Sequence, residues 1–336
     1  MWLFEHAQQQ NRAVSPSFHT LDWSVWQART DHRRHSSLFR CPREFFQMNI
    51  DEHLVSALIC RQFPQFADLP IEPVTKQGWD NLTYRLGEAL SVRLPRDACY
   101  AAAVAKESDV LRQIGGHLSV EVPQVVATGK ASEDYPLPWS IRRWIPGDTL
   151  ENCTNLDEDR FAKSLGKCLV ELRNIPATGG PYAGKHSFFR GCHPSIHGDE
   201  VQESLKRLDS TLDRERCLEI WHQGIGTAWP GAPVWLHGDV APGNIIVASS
   251  EVKAFIDFGL CGLGDPACDF VMAWTYFSPE SRQTFREACA IDEATWQRAR
   301  AWALWKALVC LAGLSSPDTD GAQARALKEI CADDFH

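Results

Sequence analysis

The segment Trp235–Val247 reads WLHGDVAPGNIIV, and a second polar cluster, Asp257-Phe258-Gly259, follows one short alternating stretch later. An acid at Asp239 and an amide at Asn244, framed by apolar residues, do not suit a core strand, because buried polar groups cost free energy unless paired. Each piece alone reads as an ordinary turn, with Pro242 and Gly243 as turn residues. The two in this order constrain the fold much more. The stretch IIVASSEVKAFID between them reads as a β-hairpin, which returns Asp257 to the side of Asn244.

Two acids and an amide converging on one place have the oxygen chemistry that phosphoryl transfer needs. A carboxylate orients or deprotonates the acceptor hydroxyl, and oxygen ligands hold Mg²⁺ against the phosphates. Asp239 is the candidate catalytic residue, and Asn244 and Asp257 are the candidate Mg²⁺ ligands. Just beyond, Gly264-Asp265-Pro266 reads as a helix start, with Asp265 capping and Pro266 in the first helical position. That segment, with Asp269, is assigned to structure, and a bracing role toward the catalytic loop stays open.

The first half supplies a partner site. Ile50, Leu54, Leu58 and Ile59 recur at helical spacing, with Asp51 suited to the first turn. From Ile71 the period shortens toward two, giving three strands with a tight turn at Gly87-Glu88. A helix is predicted over about Ala98–Ile114, stopped by Gly115-Gly116, and VPQVVATGK and WSIRRWI give two more strands. On the helix, Val104, Glu107, Leu111 and Ile114 share one face, so Glu107 lies on the inward stripe. A buried carboxylate needs a cation. Arg93, on the strand face opposite Val92 and Leu94, is the natural partner, and its guanidinium can equally meet phosphate. A purely structural Arg93–Glu107 pair is the alternative. The loop KQGWDNLTY would lie over nucleotide phosphates, with Gly78, Asn81 and backbone N–H groups as contacts; an ordinary hairpin turn is the competing reading.

After Pro146-Gly147 the pattern is mainly helical: a stripe from Phe161 to Leu172, a loop over residues 179–198, a helix over Leu205–Gln223, and helices again from Asp269 to Leu314. The expected fold is α+β with two lobes. Residues 48–145 form a small antiparallel-sheet N-lobe with one key helix, which binds nucleotide. Residues 146–336 form a larger, mainly helical C-lobe, which carries catalysis and the acceptor. Residues 1–47 read as an extension, in part disordered, with Met48 a candidate natural start.

A net charge of −9 argues against a nucleic-acid or anionic-membrane binder, whose contacts need a basic face. No apolar run approaches the roughly 20 residues of a membrane span, and residues 1–20 lack the apolar core of a signal peptide. The 12 cysteines show no metal-type or disulfide-framework spacing, so they read as reduced and mostly buried. The expectation is a cytoplasmic protein, monomeric or weakly dimeric, whose partners are a nucleotide and a small-molecule acceptor.

These motifs resemble the aminoglycoside phosphotransferases, within the wider protein-kinase-like fold, over roughly Ile50 to Leu314. HGDVAPGN is similar to the family's catalytic loop and IDFGLCGLGDPACD to its metal-binding segment. GWDNLTYRLG followed by VRLPR resembles the N-lobe pattern of one large bacterial branch. The resemblance implies transfer of the γ-phosphate of ATP or GTP to a hydroxyl of an aminoglycoside-like or other hydroxylated acceptor, with Mg²⁺ as cofactor; an antibiotic acceptor would make the chain a resistance enzyme. It places Asp239 as the catalytic acid, Asn244 and Asp257 as metal ligands and Glu107 as the helix acid. Arg93 departs from the family, many of whose members carry Lys there. His237 is read as orienting the loop backbone. The family binds its polycationic substrates with acidic side chains, and Asp333 and Asp334 near the C-terminus are candidates, a solvated tail being the other reading. Two further readings stay open: a kinase of the same fold acting on an amino alcohol or sugar, and a nucleotide-binding pseudoenzyme.

Overall fold

The structure, a computed structural model, describes residues 49–333 apart from 79, 209–211 and 317; the expectations for residues 1–48 and for Asp334 lie outside the described residues. Helix α1 (Glu52–Gln62) opens the first lobe, and the Asp51 carboxylate accepts the Leu54 N–H at 2.9 Å as its N-cap. Strands β1 (Ile71–Pro73), β2 (Asn81–Leu86), β3 (Leu90–Pro95), β4 (Val125–Gly129) and β5 (Trp139–Arg143) form an antiparallel sheet of order β1-β2-β3-β5-β4. Gly87 takes a positive φ of 59° in the three-residue turn, residues 87–89, between β2 and β3, one residue longer than the Gly87-Glu88 turn read in the sequence.

Strand alternation sorts the side chains of β3. Val92 and Leu94 are fully buried with Leu86 and Ile141 against Val55, Leu58 and Ile59 of α1. Arg93 therefore faces the other side, where helix α2 (Ala98–Ile114) packs. The last turns of α2 belong to a different core: Val110, Leu111 and Ile114 are buried with Leu169 and Leu172 of helix α3 (Glu158–Asn174). Helix α2 thus ties the sheet lobe to the helical lobe, and Glu107 sits where the two meet.

The second lobe follows with α4 (Gly198–Arg207), α5 (Arg214–Ile225), the short strands β6 (Val234–Leu236), β7 (Ile245–Ala248), β8 (Glu251–Phe255) and β9 (Gly262–Gly264), then α6 (Met272–Thr275), α7 (Pro279–Cys289), α8 (Glu293–Leu311) and α9 (Ala322–Ala332). Helix α8 is buried on all sides, including Arg298 and Arg300, as expected of a helix at the centre of a lobe. Arg298 is neutralised by Asp265 at 2.6 Å. Three sequence expectations change here. The single helix over Leu205–Gln223 is two: Leu208 turns extended after α4, and Asp213 caps a new start by accepting the Arg216 N–H at 2.9 Å. Asp265 does cap, accepting the Ala267 N–H at 3.1 Å, but Pro266–Phe270 is a 3₁₀ turn and not an α-helix. The pairing of β6 with β9 was not foreseen, because three-residue strands leave no readable period. Most of the described cysteines are buried. No helix among the described residues is long and apolar enough to cross a membrane.

Candidate active site

The catalytic-type loop starts where β6 ends. His237 is fully buried; its Nδ1 accepts the Asp239 N–H at 3.2 Å, which leaves Nε2–H to donate to the Ile256 carbonyl at 3.1 Å. The imidazole therefore fixes backbone, as its reading in the sequence held. Gly238 has φ +83°, and a Cβ there would stand 2.8 Å from the Leu260 carbonyl oxygen, so only glycine fits. Asp269, from the 3₁₀ turn, accepts the His237 N–H at 2.7 Å and the Gly238 N–H at 2.8 Å. Its burial pushes its carboxyl up, while His237 and the two N–H groups pull it down. Asp269 braces the loop from below.

Asp239 emerges exposed at the cleft between the lobes. The Asn244 amide Nδ2 donates to the Asp239 carbonyl at 2.9 Å and to its carboxylate Oδ2 at 3.0 Å. Strands β7 and β8 pair Ile245 with Phe255, and the Ile256 N–H donates to the Asn244 carbonyl at 2.9 Å. The hairpin closes through Ser249 and Ser250, both with positive φ. It returns Asp257 to the side of Asn244, in a left-handed conformation (φ 65°) that Asp tolerates better than most residues.

Above this loop lies an ion network. Glu107 is met by Arg142 through two parallel bonds of 2.7 Å and by Arg93 at 3.3 Å, and it accepts the Phe258 N–H at 3.0 Å. The other arm of Arg93 reaches Asp257 Oδ1 at 3.0 Å. The Arg93–Glu107 contact exists as expected, but the main partner of Glu107 is Arg142, which the sequence reading missed. Burial raises the Glu107 carboxyl, and Arg142 followed by Arg93 outweighs it, bringing it down to about 2. Asp80 was missed as well. Burial and the neighbouring Asp257 carboxylate raise its pKa, with Arg93 opposing. One arginine thus stands among three carboxylates.

The loop before β2 is shaped by Gln77, whose amide bonds both the N–H and the carbonyl of Thr83, at 2.7 and 2.9 Å. Gly78 lines the cleft, and its carbonyl accepts Arg96 Nε at 3.1 Å. Asn81 is buried at the start of β2 and lies outside the cleft lining, where Gln77 and Thr83 are found instead. Asp333 is neither a solvated tail nor part of the cleft: it accepts Trp274 Nε1 at 2.7 Å and pairs with Arg282 at 3.3 Å.

The cleft encloses about 1030 Å³ between the sheet, the catalytic-type loop and helices of the second lobe. Among its walls, Asn244 Oδ1 and Asp257 Oδ2 accept no hydrogen bond from the described residues. One carboxylate and one amide oxygen suit Mg²⁺, which takes few protein ligands and completes its octahedron with phosphate and water. No group of three or more His, Cys, Asp or Glu among the described residues could hold a metal by itself.

A five-stranded antiparallel lobe over a helical lobe, with a cleft between them carrying these carboxylates, defines an α+β phosphotransferase of protein-kinase-like fold. The chain belongs to the phosphotransferase enzyme family APH, which matches residues 71–302. Its enzymes transfer phosphate to a hydroxyl, and this chain is one of them. No curated protein matches the sequence. Among solved structures it is similar to the GDP and kanamycin complex of APH(2")-IIia, with a TM-score of 0.64 at 20% identity over 84% of this chain and 99% of that one. It is also similar to the macrolide 2'-phosphotransferase MphH from Brachybacterium faecium, with a TM-score of 0.55 at 20% identity over 84% and 99% of the chains. The streptomycin–ATP–APH(2")-IIa ternary complex gives a TM-score of 0.53 at 17% identity over 84% and 96%. At these identities the likeness speaks for the fold.

Proposed function

We propose that this chain is a Mg²⁺-dependent small-molecule kinase that transfers the γ-phosphate of ATP or GTP to a hydroxyl, with Asp239 receiving the acceptor's proton. The observation that carries it is the return of Asp257 by the β7–β8 hairpin to Asn244, whose amide in turn holds Asp239. In this reading the base of the nucleotide enters between Ile145 and Ile246, which line the cleft where the lobes join. Its phosphates lie beneath the Gly78 loop with Arg93 beside them. Asn244 and Asp257 would hold Mg²⁺, which when bound offsets the charge of the β- and γ-phosphates. Asp239, fixed by Asn244 on one side and by the His237–Asp269 brace on the other, faces the acceptor hydroxyl. It accepts the hydroxyl proton as the oxygen attacks phosphorus and the bond to the β-phosphate oxygen breaks. The nucleotide donor is a cytoplasmic metabolite, so a cytoplasmic location goes with this reading.

Kanamycin, bound in one of the similar structures, and the macrolides, acted on by another, set the size of acceptor to try first. The test is Asp239→Asn. Phosphoryl transfer should fall by at least the 10²–10⁴-fold typical of a lost general base, with Mg²⁺–nucleotide binding retained. Turnover at the wild-type rate in that variant would remove Asp239 from this role.

A further inference from the structure

The part of the cleft wall supplied by the helical lobe beyond Asp239 carries several cationic and polar side chains. Arg190, Trp302, Lys306, Gln323 and Arg325 all line it. The Arg190 guanidinium lies 5.2 Å from the ring centre of Trp302 and 4.7 Å from that of Trp305. Lys306 follows Trp302 by one helical turn on α8, so both cations flank the same indole. Among the described residues neither Arg190 nor Lys306 is in an ion pair. Both are only partly exposed, and a half-buried cation without a counter-charge is costly. Trp302 is 1% exposed, and its Nε1 donor has no hydrogen-bond partner. The one buried acceptor left unsatisfied on this wall is Gln323 Oε1.

The loop that carries Arg190 is held against local backbone preference. Phe188 and Phe189 are both left-handed, at φ 48° and 61°. Such residues persist where surrounding structure over-determines them. Here the buried Ser187 hydroxyl donates to the Arg190 carbonyl at 3.0 Å, and the Gly191 carbonyl accepts the Asp265 N–H at 2.8 Å. The indole beneath is equally fixed: Trp302 meets Trp305 edge-on, and His197 stacks on Trp305 at 4.0 Å. Neither of two acids of this lobe, Glu200 and Asp320, forms an ion pair with Arg190 or Lys306 among the described residues. Glu200 accepts Trp305 Nε1 at 2.7 Å, and Asp320 Oδ1 accepts the Ala322 N–H at 3.1 Å.

We infer that the acceptor is a hydroxylated anion whose carboxylate or phosphate group is bound by Arg190 and Lys306 beside Trp302, with a hydroxyl directed to Asp239. This rests on the kinase reading of the same cleft. It sets the chain apart from enzymes that must bind polycations, since the wall that would meet the substrate's amino groups offers cations instead. Arg190 and Lys306 supply charge-assisted bonds to the anion, the buried indole holds the Arg190 guanidinium in place, and Gln323 Oε1 can accept a further hydroxyl.

The test uses one matched set: glucose, glucosamine, gluconate, glucose 6-phosphate and kanamycin. Binding to the Mg²⁺–ADP-loaded full chain is read by saturation-transfer NMR, and transfer from ATP by ³¹P NMR. Wild type is compared with Lys306→Gln, Lys306→Glu and Arg190→Gln, whose retained nucleotide binding reports folding. The expected result is that gluconate or glucose 6-phosphate binds, that glucosamine and kanamycin do not, and that Lys306→Glu weakens the anion by about tenfold or more, as loss of one charge-assisted contact implies. Gluconate against glucose 6-phosphate decides between carboxylate and phosphate. Preferred binding of kanamycin or glucosamine, anion binding indifferent to Lys306 and Arg190, or no binding by either anion overturns the inference. Anion binding that depends on Lys306 but is followed by no transfer to the bound anion overturns the assignment of this wall to the acceptor, and transfer to another member of the set, kanamycin included, then leaves the kinase reading standing.

Discussion

Arg142 on β5 meets Glu107 on α2 through two parallel bonds of 2.7 Å, with both side chains almost fully removed from solvent. This pair, and not Arg93 alone, seats the helix acid. It frees Arg93 to extend its second arm to Asp257 across the cleft. The two arginines divide the work: one neutralises Glu107, and the other joins the sheet lobe to the Asp257 segment.

Arg142→Met should therefore strand a buried carboxylate. Breaking a buried pair from one side costs about 3–5 kcal/mol. A urea unfolding series should show a loss of that order, and a comparable one for Glu107→Gln, which leaves the buried Arg142 without its counter-charge. Equal stability of Arg142→Met and wild type would mean that Arg93 suffices for Glu107.

The same pair predicts acid sensitivity with a definite sign. The Glu107 carboxyl is lowered from 4.5 to about 2 because Arg142 and Arg93 outweigh its burial. The unfolded chain therefore takes up this proton at a higher pH than the folded one. The stabilisation is complete above about 4.5 and is lost as pH falls from there through about 2. Chemical stability measured between those limits should fall more steeply in wild type than in Glu107→Gln. Parallel curves would count against the network as the source.

Asp269→Asn keeps size but replaces one of the two oxygens that receive the His237 and Gly238 N–H groups. Hydrogen bonds to a charged group contribute about 1.5–3 kcal/mol each. The expected outcome is a fall in melting temperature together with a lower kcat at nearly unchanged nucleotide KM, since the loop under Asp239 loosens while the nucleotide contacts remain. A change confined to KM would place the role of Asp269 elsewhere.

What was legible in the sequence follows the range of the interactions. Asp239, Asn244 and Asp257 converge through a five-residue loop and one hairpin, so local turn and strand signals suffice to bring them together. Glu107 was legible as inward because helical spacing is local too. Arg142 was not, because its contact with α2 depends on β5 lying next to β3, a pairing that skips β4 in chain order. Asp269 was legible as structural, with a brace on the catalytic loop left open, and only the β6–β9 pairing places its turn beneath His237. Asp333 looked like a free tail acid, and only the approach of α9 to α7 shows it bound to Arg282. Arg190 and Trp302 share no pattern at all; tertiary packing alone stacks them.

The last prediction decides between the two readings of Arg93. Its guanidinium bridges Glu107 at 3.3 Å and Asp257 at 3.0 Å, and the surrounding acids hold it charged despite its burial. As a structural pair only, it would matter to stability and not to nucleotide. As a phosphate ligand, it would matter to both. Arg93→Met should weaken Mg²⁺–ATP binding by about tenfold or more, because a charge-assisted contact of about 1.5–3 kcal/mol is removed. It should also leave Asp80, Glu107 and Asp257 with one cation fewer among them. Arg93→Lys keeps the charge but, as a point donor on a flexible stem, cannot span both carboxylates with a planar fork. It should retain most of the affinity and lose part of kcat, because Asp257 is then less firmly placed. Calorimetric titration with nucleotide checks the first expectation and steady-state kinetics the second. Unchanged nucleotide affinity in Arg93→Met, with stability lowered, would establish the purely structural pair.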